Sequence, residues 1–382
     1  MRILLLLLSL WPWSLSTLAQ TPPPTALAVQ APAIAARAWL LLDYGSNLVL
    51  AGANMDQRVE PASLTKLMTA YLAFSALKQG KILLNQVTPV SERAWKTQGS
   101  RMFIEPRLAV TVDELLRGMI VQSGNDACIA LAEIIAGSED AFVQLMNAES
   151  ARLGLSHTHF VNSTGLPDAQ HYSTARDLAR LAAALIHDFP EYYPLYALKE
   201  YRYNGITQPN RNRLLWLDAS VDGLKTGHTE AAGFCLIASA KRGPRRLLSV
   251  MLGTDSDSAR AQESQKLLNF GFQYYDAVKL YEARQTITQV NVYKGSESSV
   301  KAGFLADLLI SVPRGQSAQL KVQLQKQPPL VAPVRAGATI GVLKVSLGDQ
   351  PYGEFPLLAL EDVAQAGIIG RAWDSLRLLF ER

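Results

Sequence analysis

The spacing of apolar residues changes period several times along this chain, and each change marks a different kind of element. Behind Met1-Arg2, residues 3–18 are almost continuously apolar, and Thr17-Leu18-Ala19 resembles a small-residue cleavage site. This predicts an export signal over residues 1–19, with the mature chain beginning near Gln20. The alternative is an uncleaved membrane anchor, since the apolar run borders the length that spans a bilayer. Residues 20–36 are Pro-rich and predict an extended leader, because proline fixes φ and withholds a backbone donor. Apolar residues 38–44 and 48–51 flank Gly45-Ser46-Asn47, which predicts a β-hairpin. Leu64, Leu67, Met68, Tyr71 and Leu72 then share one face of a helix that is expected to start at Ser63, after Glu60-Pro61-Ala62.

Helical spacing dominates the next stretch. Thr111-Val112-Asp113-Glu114 has the form of a capping box and opens a helix through Val121, and a second helix runs on to Gly137. Ser123-Gly124-Asn125 therefore falls in a loop between two helices. Residues 174–177 read as another capping box, heading an amphipathic run with Leu178, Leu181, Ala182, Leu185 and Ile186 on one side. Period-two spacing returns in residues 222–226, 233–240 and 247–252, with Gly243-Pro244 turning between the last two. On this reading Lys225-Thr226-Gly227 ends a strand that faces the helices.

Alternation of Leu320, Val322 and Leu324, and of Leu343, Val345 and Leu347, with polar neighbours predicts a small antiparallel β domain over residues 285–359. The main folded unit then covers residues 37–284. Within the last segment, residues 360–382, Ile369, Ala372, Trp373, Leu376, Leu379 and Phe380 share one helical arc opposite three arginines, and only Leu378 breaks the pattern. Such a helix suits shallow insertion into an anionic membrane surface, and docking onto the chain's own β domain is the alternative.

Composition narrows the classes. The chain has 382 residues, 48% of them apolar, which is enough for two domains with sizeable cores. A net charge of +4 and a charged fraction of 18% fall far below the basic density of nucleic-acid binders. Cys128 and Cys235 are the only cysteines, so this is not a disulfide scaffold. Buried free thiols are expected, and a single bridge between them depends on geometry.

The candidate chemistry lies in three motifs in order: Ser63-Leu64-Thr65-Lys66, Ser123-Gly124-Asn125 and Lys225-Thr226-Gly227. The S-x-x-K pattern recurs at Ser75 and Ser298, whereas Ser123 opens the only S-x-N and Lys225 the only K-T-G. Ser75 falls inside the Ser63 helix and Ser298 in a Ser-rich stretch elsewhere, so local context selects Ser63. One helical turn separates Ser63 from Lys66, so the two side chains can share a hydrogen bond. An amine activates a serine only when neutral, and moving a lysine from ~10.4 to near 7 requires about 3 to 5 kcal/mol of differential stabilisation. Burial and a second cation, Lys225, can supply it. Taken singly, Asn125 reads equally as a helix cap and Ser123 as a turn residue. His228 alone reads as a metal ligand or an oxyanion donor, but no H-E-x-x-H spacing accompanies it, and no metal or cofactor is expected.

Together the motifs resemble those of the low-molecular-mass penicillin-binding proteins, the D-alanyl-D-alanine carboxypeptidases of the Gram-negative envelope. Residues 122–131, 173–177, 210–212 and 221–229 extend the resemblance, which covers nearly the whole chain. It implies a mixed α/β (α+β) fold: a β-lactamase/transpeptidase-like domain with an antiparallel sheet and a helical subdomain, then a small all-β domain and a terminal amphipathic helix. It implies release of the terminal D-alanine from peptidoglycan pentapeptides through an acyl-enzyme on Ser63, covalent binding of β-lactams, and a periplasmic location on the inner-membrane surface. By resemblance, Lys66 is the base, Ser123 relays a proton with Lys225, and Asn125 orients the peptide. Backbone N–H groups of Ser63 and His228 form the oxyanion hole beside Gly227. Thr226 and Arg211 hold the substrate carboxylate, with Arg213 a close competitor of Arg211, and residues 91–106 form a rim. The alternatives on the same fold are a D,D-endopeptidase and a β-lactamase, and a silent wall-binding protein is a third. No glutamate occurs between Glu149 and Glu191, where a deacylating one would be expected, so β-lactam adducts should turn over slowly.

Overall fold

The computed structural model describes residues 29–326, residues 330–367 and Asp374. The expected export signal, and all of the expected terminal helix beyond residue 367 except Asp374, lie outside the described residues.

The chain opens with the hairpin β1 (Ala38–Asp43) and β2 (Leu48–Ala53), followed by a 3-10 turn, Ala62–Thr65, that runs into helix α1 (Lys66–Lys78). Ser63 thus sits in the 3-10 turn and not at the first residue of the α-helix. Ala62, against which Gly165 and Gly227 pack closely, has φ 47°, a left-handed value that breaks helical continuity, and regular winding resumes at Lys66. Short strand β3 (Val87–Thr88), helix α2 (Glu92–Lys96) and short strand β4 (Val110–Thr111) precede α3 (Val112–Val121), α4 (Asn125–Ala136), α5 (Glu139–Arg152) and α6 (Ala175–Asp188). Hairpin β5 (Glu200–Tyr203) and β6 (Ile206–Pro209) and the single turn α7 (Leu214–Leu217) lead to β7 (Val221–Thr229), β8 (Gly233–Arg242), β9 (Arg245–Thr254) and α8 (Asp257–Tyr274).

Both expected capping boxes carry a side-chain cap, but only the first is reciprocal. At α3 the Thr111 hydroxyl accepts from Glu114 N, and the Glu114 carboxylate accepts from Thr111 N at 2.8 Å. At α6 Thr174 caps Asp177 N at 3.1 Å, but the shorter Asp177 side chain turns away to accept from His157 N and Thr158 Oγ1, each at 2.8 Å.

The main sheet is antiparallel with order β2-β1-β9-β8-β7. Alternation along its strands feeds two cores. Leu40, Leu42, Cys235, Ile237, Leu248 and Val250 face the helices α1 to α6, while Leu41, Leu236, Ala238, Leu247 and Met251 face α8 and the trailing β region. Strand β7 is longer than the sequence pattern indicates. Lys225-Thr226-Gly227 lies within it and does not end it, because Lys225, Thr226, Gly227 and His228 pair with Ile237, Leu236, Cys235 and Phe234 of β8. Cross-strand pairing holds this polar stretch extended where its own alternation fails.

The trailing region comprises β10 (Tyr275–Tyr281), β11 (Thr288–Tyr293), β12 (Ser299–Gly303), β13 (Leu308–Pro313), β14 (Leu320–Lys326), β15 (Leu330–Val331), β16 (Thr339–Leu347) and β17 (Gln350–Ala359). Strand β10 continues directly from α8 and pairs with β13, so the strand pairing of this region starts ahead of Gln285. Residues 360–367 are not helical: Val363 and Val334 exchange backbone hydrogen bonds of 2.8 and 2.9 Å, which holds the segment on the β domain. The end of the Pro-rich leader is docked on α8, where Ala33 O accepts from Lys266 and Ala35 N donates to Glu263.

One buried histidine ties the loop after α5 to the nucleophile turn. His171 is 2% exposed, and its Nδ1 accepts from Val161 N at 3.2 Å, which leaves Nε2 to donate to Thr65 Oγ1 at 2.8 Å. Burial pushes its pKa down from 6.5 to about 4. Above pH ~6.5 both folded and unfolded chains hold a neutral imidazole. As pH falls toward 4 the unfolded chain takes up a proton that the folded one excludes, so up to about 3 kcal/mol of stability is lost. Urea unfolding at pH 7 and pH 4.5 should show this loss in the wild type and a much smaller one in His171→Gln, which keeps a donor at Thr65. Equal pH dependence in the two proteins would rule this origin out.

Candidate active site

Two structural elements bring the three motifs together. The Ala62–Thr65 turn lies against β7 at Gly227, where a Cβ would stand 3.1 Å from Pro61 O and 3.2 Å from Ser63 N. Only glycine permits that approach without displacement. The loop of Ser123 and Gly124 is closed by Gly124 N donating to Gly118 O, and Ser123 adopts φ 66°. A left-handed serine is uncommon and is held here by the helices on either side.

Lys66 is the centre of the arrangement. It is 1% exposed, and its Nζ lies 2.9 Å from Ser63 Oγ, 2.7 Å from Asn125 Oδ1 and 2.6 Å from Thr164 O. All three partners are neutral. Burial therefore dominates, with the Arg211 charge acting in the same direction, and the pKa falls from 10.5 to about 8. Lys225 is also buried and is held well below its ordinary value by burial, then by the charges of Lys66 and Arg211. Its Nζ donates to Thr226 O at 3.2 Å.

Above this buried pair opens a cleft of about 460 Å³ lined by Ser63, Ser100, Ser123, Arg211, Thr226 and His228, among others. Lys66, Asn125 and Lys225 lie beneath its surface. The Ser123 hydroxyl is buried with no hydrogen-bond partner. Arg211 lines the cleft, whereas Arg213 points to Asp257 at 3.4 Å. His228 is exposed, with its ring 4.0 Å from that of Phe234. Among the described residues no group of three or more His, Cys, Asp or Glu side chains could hold a metal ion. Cys128 and Cys235 are both free and buried.

Several contributors escaped the sequence. Arg260 of α8, 6% exposed, donates to Gly227 O at 3.1 Å and lines the cleft. Its signal was a charge on the same helical stripe as Ser264 and Leu267. Thr164 acts through its carbonyl, which no side-chain pattern can announce. Gly99 and Ser100, by contrast, lie in the rim expected over residues 91–106, and they reach the cleft because Asn125 N donates to Ser100 O and Asn125 Nδ2 to Gln98 O, each at 2.7 Å.

This constellation has close parallels. The family described as D-alanyl-D-alanine carboxypeptidase matches residues 25–256, and the C-terminal domain of penicillin-binding protein 5 matches residues 275–365. The D-alanyl-D-alanine carboxypeptidase DacC of Escherichia coli is 43% identical over 94% of this chain and 93% of its own length. The DacA protein of Haemophilus influenzae is 42% identical, over 92% and 91%. The structure of penicillin-binding protein 5 from Haemophilus influenzae superposes with a TM-score of 0.83 at 41% identity, covering 88% of this chain and all of that one (100%). Penicillin-binding protein 6B from Escherichia coli gives 0.74 at 36%, covering 89% and 100%. With its family model, its relatives and its fold in agreement over about nine-tenths of its length, the chain belongs to the D-alanyl-D-alanine carboxypeptidase family of low-molecular-mass penicillin-binding proteins.

Proposed function

We propose that this protein is a serine D-alanyl-D-alanine carboxypeptidase that trims the terminal D-alanine from peptidoglycan pentapeptides. The observation that carries the reading is the 2.9 Å contact between Ser63 Oγ and the Nζ of a lysine sealed from solvent. A neutral amine at Lys66 can donate to Asn125 and Thr164 while its lone pair accepts the Ser63 proton. Ser63 Oγ then attacks the penultimate D-alanine carbonyl, and the N–H groups of Ser63 and His228 take the oxyanion, at about 3 to 4 kcal/mol per donor in comparable sites. As the C–N bond breaks, Ser123 passes its proton to the departing D-alanine amine, with Lys225 beside it, and is resupplied with the proton that Lys66 took from Ser63, which leaves Lys66 neutral again. Water then attacks the ester with Lys66 as base, which returns free Ser63 and the shortened peptide.

The sheet order leaves β7 at an edge, so an extended peptide can lie along it, with Asn125 on the opposite wall. Thr226 and Arg211 suit the free carboxylate of a chain end, which favours carboxypeptidase over endopeptidase action. A penicillin would acylate Ser63 in the same way and persist. The cleft lining contains no carboxylate, and nearby Glu139 is occupied by Ser163 N, Ser163 Oγ and Arg93. The apolar leader supports export to the periplasm, and the amphipathic pattern of residues 368–382 supports peripheral attachment to the inner membrane. Among the described residues no helix is long and apolar enough to cross a membrane.

Three outcomes are expected. A fluorescent penicillin should label the wild type stably and Ser63→Ala not at all, with D-alanine released from a pentapeptide far faster than a cross-linked dimer is cut. Persistent labelling of the alanine variant would remove Ser63 as the nucleophile. Lys66→Arg should lower the acylation rate by about a thousandfold or more, because a guanidinium stays charged at any working pH. A rate within tenfold of wild type would exclude Lys66 as the base. Removing residues 368–382 should move the protein from the membrane fraction to the soluble one, and unchanged sedimentation with membranes would refute the anchor.

A further inference from the structure

Asp126 follows the Ser-Gly-Asn motif and has no place in the chemistry described above. It is 0% exposed, yet it makes no ion pair among the described residues. Its carboxylate accepts four backbone N–H groups: Oδ1 takes Met102 N at 2.9 Å and Ala127 N at 3.0 Å, and Oδ2 takes Phe103 N at 2.8 Å and Ile104 N at 3.2 Å. A buried carboxylate without a cation is costly unless its lone pairs are filled in this manner.

The segment it grips is the rim of the cleft. Gly99 and Ser100 line the opening, and the adjacent Asn125 holds the same strand through Gln98 O and Ser100 O. Two consecutive residues at the start of α4 therefore fasten residues 98–104 from both ends. The strand they fasten is not relaxed. Phe103 has φ 69°, a left-handed value for a bulky side chain, and it is 40% exposed instead of packed. Its ring meets the Arg101 guanidinium at 5.3 Å, a solvent-exposed and weak contact, so the 2.8 Å bond from its N–H to buried Asp126 is the firmer constraint on that conformation.

We infer that Asp126 is a positioning residue for substrate binding: its carboxylate fixes the rim at Ser100 and the peptide-orienting amide of Asn125 at the spacing an extended peptide substrate requires. The motif that matters is thus Ser-Gly-Asn-Asp. In Asp126→Asn one oxygen is replaced by a donor, so two of the four N–H groups lose their acceptor and face an NH2 group. The rim loosens while Lys66 keeps its contacts with Ser63 Oγ and Thr164 O.

This inference rests on the carboxypeptidase reading, and penicillin titration of Ser63 in the wild type tests that reading separately. In the full chain, Asp126→Asn should still take up one penicillin per molecule at saturation. Its kcat/KM for a D-alanyl-D-alanine peptide should fall tenfold or more, chiefly through KM, and amides 102–104 should exchange faster with deuterated water. An unchanged KM per titrated site, whether or not the titratable fraction falls, would overturn the inference and leave Asp126 a folding residue. If Asp126→Asn yields no titratable protein, Gly99→Ala tests the same rim with Asp126 intact. Its new Cβ would stand 2.7 Å from Asn125 Nδ2 at φ +82°. The same rise in KM supports the inference, and wild-type KM in a folded Gly99→Ala protein overturns it.

Discussion

The structure depends on one electrostatic constraint, a lysine ammonium buried with only neutral oxygens in hydrogen-bond contact. Lys66 has three neutral oxygen partners within 2.9 Å and no carboxylate among its hydrogen-bond acceptors. An ammonium has three donors and could be satisfied there, but the carboxylate that favours its charge, Asp126, acts only at a distance and does not offset the burial. A neutral amine is satisfied by the same three contacts, with two donated bonds and one lone pair turned to Ser63. The site therefore shifts Lys66 toward the protonation state that the reaction requires, bringing its pKa down to about 8. The Arg211 charge pushes both lysines in the same direction, so the second cation expected at Lys225 is supplied for Lys66 by Arg211.

Holding that arrangement requires close packing from several parts of the chain. Gly227 lets β7 approach the nucleophile turn, and Gly165 does the same from the opposite loop, where a Cβ would fall 1.8 Å from Ala62 O. His171 fixes Thr65 between Ser63 and Lys66. Behind β7, Arg260 reaches through from α8 to the Gly227 carbonyl. The two-faced sheet makes this possible, because one layer of strands serves the helical core with the catalytic motifs on one side and α8 with the β domain on the other.

Much of this was legible in the order of residues, for identifiable reasons. The first hairpin, the Thr111 box and the two-residue turn at Gly243 follow from local chemistry that tertiary contacts do not override. The three motifs could be placed in one cleft because their residue types are mutually necessary. What failed was set by distant contacts. Strand β7 continues past Thr226 because β8 pairs with it, and the turn at Ser63 is 3-10 because Ala62 is forced left-handed. The rim within residues 91–106 was expected only through the family resemblance, and the Thr164 carbonyl and the Asp126 carboxylate act through backbone groups, which leave no trace in residue type. Arg260 did leave one, as a lone charge on a buried helical stripe.

The central claim, that burial brings the Lys66 pKa close enough to neutrality for a reactive neutral fraction to exist at working pH, is tested most directly by NMR. Protein labelled with 13C and 15N in lysine, with Lys66→Arg as the assignment control, can be titrated from pH 6 to 11. The account predicts that the Lys66 resonance titrates with a midpoint at about 8. A midpoint at ~10.4, where an unperturbed lysine titrates, would contradict it.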